Sequence, residues 1–305
     1  MSGPSAPSAP SSPSGRKADR VAAWKRLSPN TRGAFYMVCA ALSATLMFAT
    51  VKALGGRVDS FQIVFFRALA GTLVAIPMLM RSGGRGFRSA HMHFQVGNGV
   101  LGVVAMTSTY FALEHMALAD ATAVLFARPL FLLLLAMLFL GEAMQVGRWL
   151  ATFVGFLGVL VIVKPAGIIE VAALAIVFSA LVSAVMIVLS KKMVAADGPD
   201  IQLFYFNLTM GAVLIVPTAV FWVTPSWNDF GLLLLVGVFG TTNALFIVQA
   251  LRVGEATAVS PFDYTRLLFA ALFGFVLFSE VPDAWFWVGS AMIVVANVYI
   301  ARNRS

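Results

Sequence analysis

The chain has 305 residues and a formal net charge of +8, with 60% hydrophobic and only 11% charged residues, against roughly 45–50% apolar and about 25% charged in soluble domains. At a mean hydropathy of +0.90 its apolar surface exceeds what a water-soluble fold of this size can hide, which excludes a soluble enzyme, a nucleic-acid binder and a disordered protein. The excess of positive charge lies in short stretches between apolar runs, the pattern of a membrane protein oriented by Lys and Arg.

Residues 1–30 form a Pro/Ser-rich tail, expected to be disordered and cytoplasmic, and residues 1–20 carry no apolar stretch of the kind a signal peptide needs. Ten runs then reach or approach the roughly 20 apolar residues of a membrane-spanning helix: about 33–54, 60–80, 95–115, 119–140, 146–164, 169–190, 201–223, 229–251, 256–278 and 284–301. They are long, rich in Leu, Ala and Phe, and lack period-2 alternation. With no water in the hydrocarbon layer each must satisfy its own backbone as a helix. The fold class is therefore an all-α polytopic membrane protein. Placing both termini in the cytoplasm puts Arg16, Lys17, Arg20, Lys25, Arg26, Arg32, Arg81, Arg85, Arg88, Arg148, Lys191, Lys192, Arg252, Arg302 and Arg304 on that side. Only Lys52, Arg57 and Lys164 lie opposite, and Arg67, Arg128 and Arg266 fall inside spans. This asymmetry predicts an inner (plasma) membrane protein with both ends inside and an even number of spans.

Cys39 is the only cysteine, so no intrachain disulfide exists. Three histidines without an HExxH pattern and the absence of a phosphate-binding GxxxxGK[ST] loop give no reason to expect a metal or cofactor.

The two halves repeat each other. Ala41, Leu42, Met47 and Lys52 match Ala180, Leu181, Met186 and Lys191. Gln62, Phe66, Gly71 and Pro77 match Gln202, Phe206, Gly211 and Pro217. ATAV at 121–124 recurs at 256–259, and Thr107 and Phe111 match Thr242 and Phe246. LGE ending at Glu142 matches FSE ending at Glu280, and Trp149 matches Trp287. Five spans per copy is an odd number, so the second copy must enter the membrane from the opposite side. The prediction is ten transmembrane helices in two inverted five-helix repeats, 31–165 and 166–305 with a short cytoplasmic C-terminus. Such repeats are the architecture of alternating access around a midplane site.

The stretches ATAVLFARPLFLLLLAMLFLGE at 121–142 and ATAVSPFDYTRLLFAALFGFVLFSE at 256–280 resemble the EamA-type family of the drug/metabolite transporter superfamily, over about residues 30–302. The resemblance implies ten helices in two repeats, each with a Pro-containing fourth helix, a closing Leu-Gly-Glu and a final helix. It also implies transport of amino acids, vitamins such as riboflavin, or compounds like S-adenosylmethionine. The second copy departs from the first: Leu267 stands where Pro129 does, and Pro261 lies earlier, which predicts a displaced helix break.

Arg128 and Arg266 each precede their repeat's closing glutamate by the same interval, about 12 Å into the fourth helix at 1.5 Å per residue. A charge at that depth costs at least about 2.5–3.5 kcal/mol and therefore faces the bundle interior with a partner. Asp263, three residues before Arg266, shares its helix face and offers an internal ion pair, or a proton-coupling group. Arg128 has no acid at helical spacing, which leaves two roles open: an anionic group of the substrate, or the carbonyls freed beside Pro129. Thr107, Tyr110, Thr242 and Asn243 are polar positions on the third helices that can join helices or line a cavity. Tyr264, Tyr110 and Phe126 can stack on a planar substrate or simply pack. Arg67, with Asn207 as its counterpart, reads as a structural anchor, and Glu142 and Glu280 as helix-end anchors.

The function these features favour is secondary transport of a small organic metabolite (amino acid-like, vitamin-like or nucleoside-like, with an anionic group favoured by the paired arginines). The alternative is a membrane-embedded enzyme acting on a lipid-linked substrate. The partners expected are the substrate and the lipid bilayer, with no nucleic acid. Both a monomer and a homo-oligomer are compatible with the sequence.

Overall fold

The computed structural model describes residues 27–81, 89, 91–140, 146–163, 171–194 and 199–302. Most of the predicted N-terminal tail, Glu142, Lys164 and the side chains of Arg81, Arg148, Lys191 and Lys192 lie outside the described residues.

The helices are α1 (Pro29–Leu54), α2 (Ser60–Arg81), α3 (Met92–His115), α4 (Leu118–Leu125), α5 (Arg128–Leu140), α6 (Val146–Val163), α7 (Val171–Val194), α8 (Pro199–Val220), α9 (Trp227–Val253), α10 (Ala256–Val259), a 3₁₀ turn at Ser260–Tyr264, α11 (Thr265–Phe278) and α12 (Ala284–Arg302). No strand occurs among the described residues. Counting α4–α5 as one interrupted span, and likewise Ser260–Phe278, nine described spans are long and apolar enough to cross a membrane. α6 adds a shorter apolar stretch, Trp149–Val163. The chain is thus the ten-helix membrane protein its sequence predicts. Helix starts carry local signals: Ser28 accepts a hydrogen bond from the Thr31 amide ahead of Pro29, and Ser226 does the same for the Asp229 amide.

Side-chain contacts show which helix ends share a face. On the first face, Lys52 at the end of α1 meets Glu280 after α11, and Gln62 exchanges two hydrogen bonds with the Val223 backbone. Arg57 pairs there with Asp229, and Val171 lines one cleft with Gly56 and Glu114. On the opposite face, the Asn30 carboxamide accepts from the Glu255 amide and Asn98 bonds Ser190. Helix α1 therefore ends on the face where its counterpart α7 begins. The two copies are inverted.

The packing has the signature of a two-fold axis in the membrane plane, because each large contact between the copies has a mate. α1 packs on α9 as α7 packs on α3. α1 packs on α11 as α7 packs on α5. α2 packs on α9 as α8 packs on α3, while α2 with α8 and α6 with α12 pair across the axis itself. Two crossed units result: α1 with α9, α10 and α11, and α7 with α3, α4 and α5. Lipid supplies little hydrophobic drive between helices, so close approach and polar contacts hold them. α6 and α12 approach so tightly that a Cβ on Gly158 would stand 2.7 Å from the Gly289 carbonyl oxygen. Thr109 and Ser179 join α3 to α7, hydroxyl to hydroxyl, at 2.6 Å. Large apolar side chains such as Leu73, Leu150, Phe153 and Val216 point outward, toward lipid.

Candidate functional site

Both fourth helices break, for the same reason. Pro129 has no N–H, and its ring excludes the carbonyl four residues back from continuing the helix. α4 accordingly ends at Leu125. The Phe126 and Ala127 amides tighten onto the carbonyls of Ala123 and Val124, and α5 restarts at Arg128. In the second copy Pro261 converts the chain to a 3₁₀ turn from Ser260, and α11 restarts at Thr265. The predicted displacement holds only for where that break begins. Each break ends beside its arginine.

The two breaks meet on the seam between the crossed units. The rings of Phe126 and Tyr264 lie 5.0 Å apart between centroids, inclined by 42°. The Arg266 guanidinium stands 5.9 Å from the Phe126 centroid, in cation–π range, and its Nη2 donates to Asp263 Oδ1 at 2.8 Å. Asp263 keeps 31% of its side chain exposed, Arg266 only 15%. Asn297 of α12 donates from Nδ2 to the Phe126 carbonyl at 2.8 Å, one of the groups the break sets free. Arg128 lies within electrostatic reach of both Arg266 and Asp263. Its Nε is sealed from solvent without a partner, and among the described residues no carboxylate bonds it. Two guanidinium groups thus share one carboxylate at the meeting point of two interrupted helices.

The structure gathers Arg128, Arg266, Asp263 and Tyr264 from the sequence-predicted set and separates the other four. Tyr110 is buried in the main core, its hydroxyl directed at Met47 Sδ at 3.7 Å. Asn243 donates from Nδ2 to the Ala40 carbonyl at 2.8 Å and so ties α9 to α1. Thr242 is half-buried on α9. Thr107 lines a different space, an open cleft of about 670 Å³ on the Lys52 face with Ser108, Ser60 and Glu114. Arg67 donates to Met106 Sδ at 2.9 Å and borders a small void with Asn207 and Gly240, among helices α2, α8 and α9. Glu280, read as a helix-end anchor, does bind helix ends. Asn297 was missed. Its only signal in sequence is an amide in the apolar run of the last span.

An inverted repeat of membrane helices with polar, charged helix breaks at its centre defines a polytopic membrane transporter. The comparisons make this specific. The model of the EamA-like transporter family matches residues 31–164 and again 171–302, and this chain belongs to that family. It is 31% identical over 250 residues to the S-adenosylmethionine uptake transporter of Rickettsia felis, covering 82% of this chain and 85% of that protein. It is 31% identical over 283 residues to the pseudopaline exporter CntI of Pseudomonas aeruginosa (89% and 96% covered). It is 28% identical over 260 residues to a riboflavin transporter of Brucella anthropi (81% and 90%). A solved crystal structure superposes with a TM-score of 0.62 at 18% identity, over 91% of this chain and 99% of that one, a likeness of fold. The protein is a membrane transporter of small metabolites, and of the two classes the sequence left open the membrane-embedded enzyme falls away.

Proposed function

We propose that the protein moves a small organic metabolite bearing a carboxylate or other anionic group, by alternating access around the Arg128–Arg266 site. The carrying observation is the charge count at the seam: two guanidinium groups from opposite copies, one carboxylate, and a sealed Arg128 Nε without a partner. A buried cation persists in the low-dielectric interior when something neutralises it for part of its cycle. An anionic substrate does this, and a planar guanidinium can take a carboxylate through two parallel hydrogen bonds. Phe126 and Tyr264 offer aromatic faces to a planar portion of the same molecule. The relatives named for S-adenosylmethionine and riboflavin support a metabolite of that size. The Lys and Arg distribution supports an inner-membrane orientation with the Asn30 face and both termini in the cytoplasm.

The test is uptake into proteoliposomes of radiolabelled S-adenosylmethionine, which carries a carboxylate, competed by a panel of unlabelled amino acids, carboxylates and their neutral amides. The expected result is saturable flux blocked by carboxylates and not by the matching amides. Flux blocked equally by both would remove the anionic group from the reading.

A further inference from the structure

The packing breaks its own two-fold symmetry in one respect. On the Lys52 face the crossed units touch: α4 packs against α11, and α1 against α3. The symmetry-related pairings toward the Asn30 face, α5 with α10 and α7 with α9, make at most marginal contact among the described residues. On that side of the seam Phe262 is correspondingly exposed and Asp263 only half-buried.

One cluster fastens the closed side. Lys52 Nζ pairs with Glu280 Oε1 at 2.8 Å, and both residues belong to the unit of α1 and α11. From there the pair reaches across the seam. Lys52 donates to the carbonyls of Leu113, at 3.3 Å, and Met116. Glu280 Oε2 accepts the Leu118 amide at 2.8 Å. The α3–α4 turn of the other unit is thus gripped at both ends, its free carbonyls by a cation and its free amide by an anion, as helix termini prefer. The grip is preset by the end of α11. Ser279 adopts φ 56°, and the Glu280 amide returns to the Gly274 carbonyl at 3.0 Å, a left-handed close of the helix that brings the Glu280 side chain back along the seam.

We infer that the structure is the state in which the seam between α4 and α11 is closed toward the Lys52 face, the open cleft on that face being lined by neither helix, and that Lys52 and Glu280 are the clasp whose release on the α3–α4 turn opens that seam during transport. Arg57–Asp229 lies on the same face but joins the α1–α2 turn to α9 within one unit, so it does not gate the seam. The inference rests on the alternating-access reading. Its test needs no substrate, so a wrong substrate class and a wrong clasp fail in different experiments.

Leu118 is fully buried and stands 3.8 Å, Cβ to Cβ, from the position a side chain at Gly274 would take. In a Cys39→Ser background, Leu118→Cys places the only thiol behind the clasp. The full-length protein in nanodiscs is labelled with a membrane-impermeant maleimide, and monodispersity is checked for each variant. Slow labelling is expected with the clasp intact. Adding Lys52→Met or Glu280→Met should accelerate it about tenfold or more, the shift expected in an opening equilibrium that loses a charge-assisted hydrogen bond. Arg57→Gln should leave the rate unchanged. The exchanged pair Lys52→Glu/Glu280→Lys restores the ion pair but not the donors and acceptors that hold the turn, so it should still label fast. Fast labelling with the clasp intact, unchanged labelling in folded Lys52→Met and Glu280→Met, or slow labelling in the exchanged pair would each overturn the inference.

Discussion

Replacing Arg128 by Gln separates a binding arginine from a structural one, because the two roles predict opposite signs for stability. The guanidinium has no ion pair within 4 Å among the described residues, and its Nε is sealed from solvent without a hydrogen-bond partner. Its charge faces a like charge on Arg266 and an opposite one on Asp263 that Arg266 already holds at 2.8 Å. Placing Arg at the centre of a span costs about 2.5–3.5 kcal/mol on insertion scales. The favourable charge of Asp263 nearby reduces what removal returns, so a gain of roughly 1–2 kcal/mol is expected. Binding moves the other way. Loss of a charge-assisted contact to a carboxylate costs about 1.5–3 kcal/mol, or roughly 10- to 150-fold in affinity at about 1.4 kcal/mol per decade. Arg128→Gln should therefore unfold at higher temperature than the parent while its flux collapses. Arg266→Gln supplies the contrast. It strands Asp263, so it should lower the melting temperature as well as flux. Thermal unfolding in nanodiscs beside proteoliposome flux reads both quantities. An Arg128→Gln protein that melts earlier and still transports would refute the reasoning, since it would make the arginine a prop for the helix break.

Three further substitutions test how the site is held. Ser279→Gly should raise stability by about 0.5–1 kcal/mol, because Ser279 is a non-glycine residue at positive φ and the left-handed conformation costs an L-residue about 1–2 kcal/mol; denaturant or thermal unfolding measures it. Asn297→Ala removes the amide that bonds the Phe126 carbonyl and should cost about 1–2 kcal/mol. Its flux should fall even where the protein remains folded, because Phe126 sets the spacing of the two breaks. Gly289→Val would drive a side chain into Ile162 and the Gly158 carbonyl, so α6 and α12 should part, with a loss of at least about 1–3 kcal/mol read by unfolding.

The fold was legible because membrane helices leave a coarse, redundant signal. Ten apolar runs, an odd number per repeat and the sidedness of Lys and Arg suffice to derive the inversion without coordinates. The arginines were legible for a related reason: charge is so costly in lipid that its position is informative. Thr107, Tyr110, Thr242 and Asn243 were harder. A hydroxyl or amide serves equally well as a ligand and as a helix joint, and rotation about the helix axis decides which. Asn243 turns its amide to the Ala40 carbonyl, and Thr107 borders the Lys52-face cleft with its hydroxyl sealed from solvent. Asn297 escaped notice because its importance derives from a carbonyl it meets on another span, more than a hundred and fifty residues away.

Sequence repetition also conceals what makes the molecule work. The register of the repeats places Lys52 opposite Lys191 and Glu280 opposite Glu142, as though both faces were equivalent. A transporter permanently closed on both faces would be sealed, and one with two open faces would leak, so each open state must violate the symmetry the sequence suggests. Here the violation is local. α4 and α11 are in contact, while α5 and α10 are not packed to a comparable degree. A proline at the arginine in one copy and five residues ahead of the other arginine in the second leaves the two breaks unlike in length. The 3₁₀ segment, with fewer buried residues than α4, is the less firmly packed of the two. Exchanging states then requires the α4 side to surrender its packing and the 3₁₀ side to acquire it. This predicts that stiffening the second break, by restoring α-helix through Pro261→Ala, lowers turnover more than it lowers binding. A flux assay showing equal losses in KM and kcat would show that the break serves the ligand and not the motion.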